Sequence, residues 1–116
     1  MGPVRGRASF AALASRGRRA RAGPVTVSWL AVPDASGARV AYTVGRRAGG
    51  AVQRNRLRRR LRPVMAQLAP HLRPGDYLLG AGSRAAESSP TELATWVAEA
   101  LERAGALHGP APLVRP

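Results

Sequence analysis

Apolar residues recur along this chain in short runs, and the spacing inside each run separates helix from strand. Ser9 followed by Phe10, Ala11, Ala12, Leu13 and Ala14, with Gly17 beyond, predicts a short helix with an N-cap at Ser9 and a C-terminal stop. After Pro24, the run from Val25 to Val32 alternates and sets Val25, Val27, Trp29 and Ala31 on one face of a strand, which Pro33 ends. Asp34, Ser36 and Gly37 supply turn chemistry before Val40, Tyr42 and Val44 alternate again, so the two runs predict an antiparallel hairpin. Gly45 to Gly50 reads as a loop. From Ala51 the pattern turns helical, with Leu57, Leu61, Val64, Met65 and Leu68 on one face and Pro63 predicting a kink or a stop near Arg62. Pro74 and Gly75 turn the chain into a short apolar strand, Asp76 to Ala81. Ser89, Pro90 and Glu92 spell a capping box ahead of a last helix whose apolar face is Leu93, Trp96, Val97, Ala100 and Leu101, stopped by Gly105. Residues 1–107 read as one domain and the proline-rich residues 108–116 as a disordered tail.

Charge changes the picture. The 116 residues carry 19 cations against six acids, a formal +13, and every cation is arginine. Residues 1–75 hold 16 of the arginines and a single acid, Asp34, whereas residues 76–116 hold three arginines and five acids. A polycation of this density requires a polyanionic partner, nucleic acid or an anionic membrane. No run approaches the roughly 20 apolar residues of a membrane span. The cationic, acid-free start is too alanine-rich and too quickly followed by Arg16, Arg18, Arg19 and Arg21 for a secretory signal; an organelle transit peptide fits the same composition, and the cytoplasm is the default location.

Candidate catalytic chemistry is sparse. There is no cysteine, hence no disulfide and no thiolate metal site. The six acids are scattered or lie on the last helix, His71 and His108 lack metal-ligand spacing and read as solvated loop residues, and the absence of lysine removes a Walker lysine or Schiff base. Gly80, Gly82 and Ala85 spell G-x-G-x-x-A after a predicted strand, but Pro90 starts the next helix too late for a dinucleotide fingerprint.

The informative stretch runs from Val40 to Arg62, VAYTVGRRAGGAVQRNRLRRRLR. Arg54, Arg58 and Arg62 recur at i, i+4 and i+8, a ladder about 12 Å long that suits successive backbone phosphates. The nearest acids are Asp34 and Asp76, so repulsion along this helix is unrelieved within the chain. Asn55 adds a group that both donates and accepts, able to meet a base edge, a 2′-hydroxyl or a metal-bound water, or alternatively to serve as a plain surface residue. A merely solvated basic helix is the competing reading of the run.

From Val44 to Arg62 the chain resembles the bacterial ribonuclease P protein component, whose signature is a strand ending in two basic residues, a G-x-A-V loop and R-N-R-x-[KR]-R-x-x-R on a helix; here these are Arg46 and Arg47, Gly49 to Val52, and Arg54 to Arg62, in register without a gap. Phe10 with Gly17, Asp76 with Tyr77, and Glu92 with Leu93 extend the resemblance more weakly over residues 4–104. The resemblance implies an α+β sandwich, ribosomal-protein-like, in α-β-β-β-α-β-α order, with a mostly antiparallel four-stranded sheet and a left-handed βαβ crossover. It implies a non-catalytic subunit that binds a catalytic RNA, one protein per RNA, and helps it remove the 5′ leader of precursor tRNA, with magnesium ions held mainly by the RNA. Carried over by position, Arg46, Arg47, Arg54, Asn55, Arg56, Arg58, Arg59 and Arg62 would face that RNA. Phe10, with Val25, Val27 and Trp29, would line a cleft for the single-stranded leader.

Several positions depart from the family pattern. Ala14 stands where a second aromatic is usual, the register puts Ser28 rather than Trp29 at the strand aromatic, Gly45 and Gly50 replace Ser and Asn, Pro63 interrupts the helix, and Gly82 replaces an arginine. A ribosomal-type structural RNA binder would share the charge but would not explain the R-N-R helix; a DNA-binding or membrane-surface domain would share only the charge.

Overall fold

The computed structural model describes residues 1–32, 37–45, 49–110 and 112. In chain order the elements are β1 (Gly2–Pro3), α1 (Arg7–Arg16), β2 (Arg18–Ala22), β3 (Val25–Ala31), β4 (Ala38–Val44), α2 (Ala51–Leu68), a 3-10 turn (Ala69–His71), β5 (Gly75–Ala81), α3 (Ser83–Ala86) and α4 (Pro90–Arg103). This is the order implied by the resemblance, with a two-residue strand added at the start and a one-turn helix after β5.

The sheet is mixed and has five strands rather than four, in the order β1-β4-β5-β3-β2. The hairpin expected between residues 25–32 and 40–44 is not formed. β5 lies between those strands, antiparallel to β3 with Val27 opposite Leu79, and parallel to β4 with Tyr42 opposite Leu79. Having core-facing residues and hydrogen-bonding neighbours on both sides, β3 is an interior strand; β4 leads through α2 back to β5 as a βαβ crossover, the connection parallel strands need. The tight hairpin is instead β2 with β3, closed by Gly23 and Pro24 between the paired Ala22 and Val25. Its edge strand, RRARA, exposes Arg18, Arg19 and Arg21, a row of charge that discourages edge-to-edge association.

The core lies between one sheet face and helices α2 and α4. Leu57, Leu61, Val64, Met65 and Leu68 of α2 meet Leu93, Val97 and Leu101 of α4 over Val25, Val27, Tyr77 and Leu79, all nearly inaccessible. Each fully buried Leu or Val contributes about 1.5–3 kcal/mol. That gain carries α2 straight through Pro63, which is exposed, so the helix runs on from Ala51 to Leu68 instead of stopping near Arg62. The Ser89 capping box is present in both directions at 3.1 Å. Tyr77 donates its hydroxyl to the Arg73 carbonyl at 2.6 Å, and burial pushes its phenol well above the ordinary value, Arg73 opposing.

Helix α1 lies on the other sheet face. Leu13 is its buried anchor, outside the main cluster. Ser9 is not its N-cap, since the helix begins at Arg7 after Gly6 with no side-chain cap; Ser9 instead accepts a long 3.5 Å bond from Arg39, which grips the buried Asp76 with both Nε (2.7 Å) and Nη2 (2.8 Å). After α4 the chain stays attached: Leu107 bridges Leu72, and the His108 N–H donates to the His71 carbonyl at 2.7 Å. Most of the expected 108–116 tail lies outside the described residues.

Candidate nucleic-acid interface

Helix α2 sorts its residues by periodicity. With the Leu57, Leu61, Val64, Met65 and Leu68 stripe inward, Asn55, Arg56, Arg59 and Arg62 are exposed, and Arg54, Arg58 and Arg60 are half-buried at the margins. Two ion pairs occur among the described residues, Arg39 with Asp76 and Arg103 with Glu99, and neither involves α2. The helix therefore presents guanidiniums that no anion among the described residues neutralises.

The arginines are not equivalent. Arg58 donates to Asn55 Oδ1 at 3.3 Å, so the asparagine orients a cation while leaving its amide free to donate. Arg62 sits 5.9 Å above the ring of Tyr42, whose phenol burial pushes up and Arg62 pulls down. Arg54 buries its Nε without a hydrogen-bond partner among the described residues. Arg60 donates to the Ser88 carbonyl at 2.7 Å and so ties α2 to the link before α4. Arg46 and Arg47 lie outside the described residues.

A second feature occupies the opposite sheet face. There a groove of about 480 Å³ is lined chiefly by Arg19, Arg21, Thr26, Ser28, Thr43 and Leu78. It offers hydroxyls on its floor and guanidiniums on its rim, chemistry suited to ribose and phosphate.

The family model described as Ribonuclease P matches residues 3–105. The chain belongs to the ribonuclease P protein family. Among curated relatives, it is 38% identical over 93 residues to the ribonuclease P protein component of Thermus aquaticus, covering 80% of this chain and 54% of that one. It is 35% identical over 106 residues to that of Symbiobacterium thermophilum, covering 90% and 92%. The chain thus spans about half the length of the Thermus relative and nearly all of the Symbiobacterium one. Among solved structures, the Staphylococcus aureus RNase P protein superposes with a TM-score of 0.83 at 18% identity, covering 93% of this chain and 99% of that one. The Thermotoga maritima RNase P protein, in complex with 1-(4-fluorophenyl)-2-thiourea, gives 0.75 at 19%, covering 86% and 97%. These likenesses establish that the ribonuclease P protein fold is shared.

Within that fold the expected cleft residues separate. Val25, Val27 and Trp29 are 0, 1 and 6% exposed and belong to the core beneath α2 and α4; only Val27 also borders the groove. Val25 and Trp29 are not among the residues lining the groove. Strand alternation gives the groove side to their neighbours, the exposed Thr26 and the buried Ser28, and Ser28 is the residue that the register set at the family's strand aromatic. Phe10 is 42% exposed on α1 and is not among the residues lining the groove. Arg19 and Arg21, absent from the expected site, line it because β2 pairs with β3. Gly82 caps α3, and Ala85 is fully buried, so the G-x-G-x-x-A sequence closes a strand end. Among the described residues no three His, Cys, Asp or Glu side chains gather as a metal site, and no helix is long and apolar enough to cross a membrane.

Proposed function

We propose that this chain is the protein subunit of ribonuclease P, acting in the cytoplasm, one copy per catalytic RNA, and assisting the endonucleolytic removal of the 5′ leader from precursor tRNA. The observation that carries this reading is α2: an arginine helix with Asn55 in its midst, free of ion pairs among the described residues, in the register of the family motif. Arg54, Asn55, Arg56, Arg58, Arg59 and Arg62, with Arg46 and Arg47 shortly before them in the sequence, bind the catalytic RNA. Each guanidinium that meets a phosphate releases a counterion, so affinity falls steeply with salt. The groove beside β2 takes the leader: Arg19 and Arg21 hold its phosphates, and Thr26, Ser28 and Thr43 hydrogen-bond its sugars. Phe10 offers an exposed ring for stacking, which tolerates any base and so suits a leader of variable sequence.

The donor groups present do not fit a protein-held metal ion, because no carboxylate or imidazole cluster forms among the described residues. The magnesium ions of the holoenzyme are held mainly by RNA, and the protein positions substrate and catalytic RNA relative to one another. A ribosomal-type structural binder is disfavoured by the family match over residues 3–105.

The test is cleavage of a 5′-extended precursor tRNA by a bacterial ribonuclease P RNA at limiting magnesium, with and without the protein, beside an Arg54→Ala, Asn55→Ala, Arg59→Ala triple variant. Stimulation by the unaltered protein and its loss in the variant are expected. Absence of stimulation by folded protein with a cognate RNA would overturn the proposal.

A further inference from the structure

A second cavity lies beside α2, away from the groove. It measures about 540 Å³, opens to solvent, and is walled by the segment Met1 to Val4, by Val40 and Tyr42 of β4, and by Arg58 and Arg62 of α2. β1 holds its outer wall in place, pairing Pro3 with Val40, and the Val4 N–H donates to the Val40 carbonyl at 3.4 Å. Val4 and Val40 are 7 and 5% exposed, so the wall is firmly packed.

Three properties select an occupant. First, Arg58 and Arg62 are one helical turn apart, about 6 Å along the axis, and no acid lines the cavity, so it attracts an anion. Second, the Tyr42 ring under the Arg62 guanidinium, with Val4 and Val40 beside it, gives a planar and apolar surface that a bare phosphate does not need. Third, Asn55 fixes Arg58 from outside the cavity, which orients one cation and leaves Arg62 with the ring. An anion joined to a flat aromatic body is a nucleotide, and the volume lies in the range of small-molecule sites. A base stacked inside a duplex has no free face to offer, so the occupant must be unpaired.

We propose that this cavity receives one unstacked nucleotide of an RNA strand, the base against Tyr42 and Arg62 and its phosphate on Arg58. The proposal rests on the RNA-binding reading of α2. It adds a stacking contact that is insensitive to salt to a helix otherwise binding through phosphates.

Two measurements test it. In the first, the isotope-labelled full chain is titrated with adenosine 5′-monophosphate, ribose 5-phosphate and inorganic phosphate and followed by NMR. The nucleotide is expected to shift the methyl signals of Val4 and Val40 and the ring signals of Tyr42, and the two base-free phosphates to shift only the guanidinium signals of Arg58 and Arg62. Identical, arginine-confined shifts from all three would overturn the proposal.

In the second, affinity for ribonuclease P RNA is measured across a salt series. Tyr42→Leu is expected to weaken binding about tenfold with an unchanged salt slope, and Tyr42→Phe, which keeps the ring, to bind like the unaltered chain. If Tyr42→Leu binds normally while the Arg54, Asn55, Arg59 triple variant loses affinity, the cavity proposal fails and the subunit reading stands. If the triple variant also binds normally, the subunit reading fails with it. Should Tyr42→Leu not fold, the titration of the unaltered chain decides.

Discussion

At Gly23 the backbone takes φ +55°, and a Cβ there would stand 2.6 Å from Cε2 of Trp96. Any side chain at this position meets two penalties: about 1–2 kcal/mol for the left-handed conformation and about 1–3 kcal/mol for crowding a packed indole. Gly23→Ala is therefore expected to destabilise the protein by about 2–4 kcal/mol, measured by urea unfolding, and a loss within about 0.5 kcal/mol would mean that the turn relaxes freely. The same residue shows what single positions disclose in the sequence. The inward sides of Val25, Val27 and Trp29 were legible from alternation, yet the groove opens on the other side of the strand, and of the three only Val27 borders it. Burial and a binding role make opposite demands on a side chain, and a strand satisfies both only by giving its successive residues to different faces. The α2 residues were easier to place, because a leucine stripe fixes the rest of the wheel. Arg60 could not be recognised as a tether to Ser88, since its partner is a backbone carbonyl 28 residues away.

At the scale of elements, α2 and α4 were legible because their apolar spacing and, in α4, the Ser89 capping box are local signals. The strand β2 was not, because RRARA hides two inward alanines among three arginines, and its identity comes only from pairing with β3. Strand neighbours were misread for a related reason: residues 25–31 and 38–44 are consecutive strands, but both place their apolar residues against β5, which arrives later in the chain. Pro63 raises an energetic question that α2 itself answers. An interior proline costs about 3 kcal/mol through its missing donor and ring crowding, and the burial of Val64, Met65 and Leu68 beyond it exceeds that cost. Pro63→Ala restores the donor to the Arg59 carbonyl and relieves the crowding, while giving the unfolded chain back about 0.4–1 kcal/mol of freedom. The net expectation is a gain of about 2 kcal/mol in denaturant stability. An unchanged or lowered midpoint would show that the helix has already relaxed around the proline.

Across the whole molecule the dominant quantity is unneutralised charge, a formal +13 on a body only 37 × 32 × 20 Å. At physiological salt the Debye length is about 8 Å, so charges on opposite faces scarcely sense one another, but arginines a turn apart on α2 do. Repulsion is therefore local, and it burdens the helix whose inner face holds much of the core. A doubly charged anion that bridges neighbouring guanidiniums removes that burden in the folded state alone, because the unfolded chain does not hold them together. At a concentration one hundred times its dissociation constant, one such anion contributes about 2.7 kcal/mol. In a domain of this size each kcal/mol moves the melting temperature by about 4–8 °C, so saturating sulfate is expected to raise it by about 10–20 °C. Sodium chloride at matched ionic strength screens without bridging and should raise it much less. An Arg54→Ala, Arg58→Ala variant, with less repulsion and less to bridge, should lose much of the sulfate increment. Equal shifts in the two salts would reduce the effect to screening, and a melt indifferent to both would show that the arginine helix is not under electrostatic load before a polyanion binds.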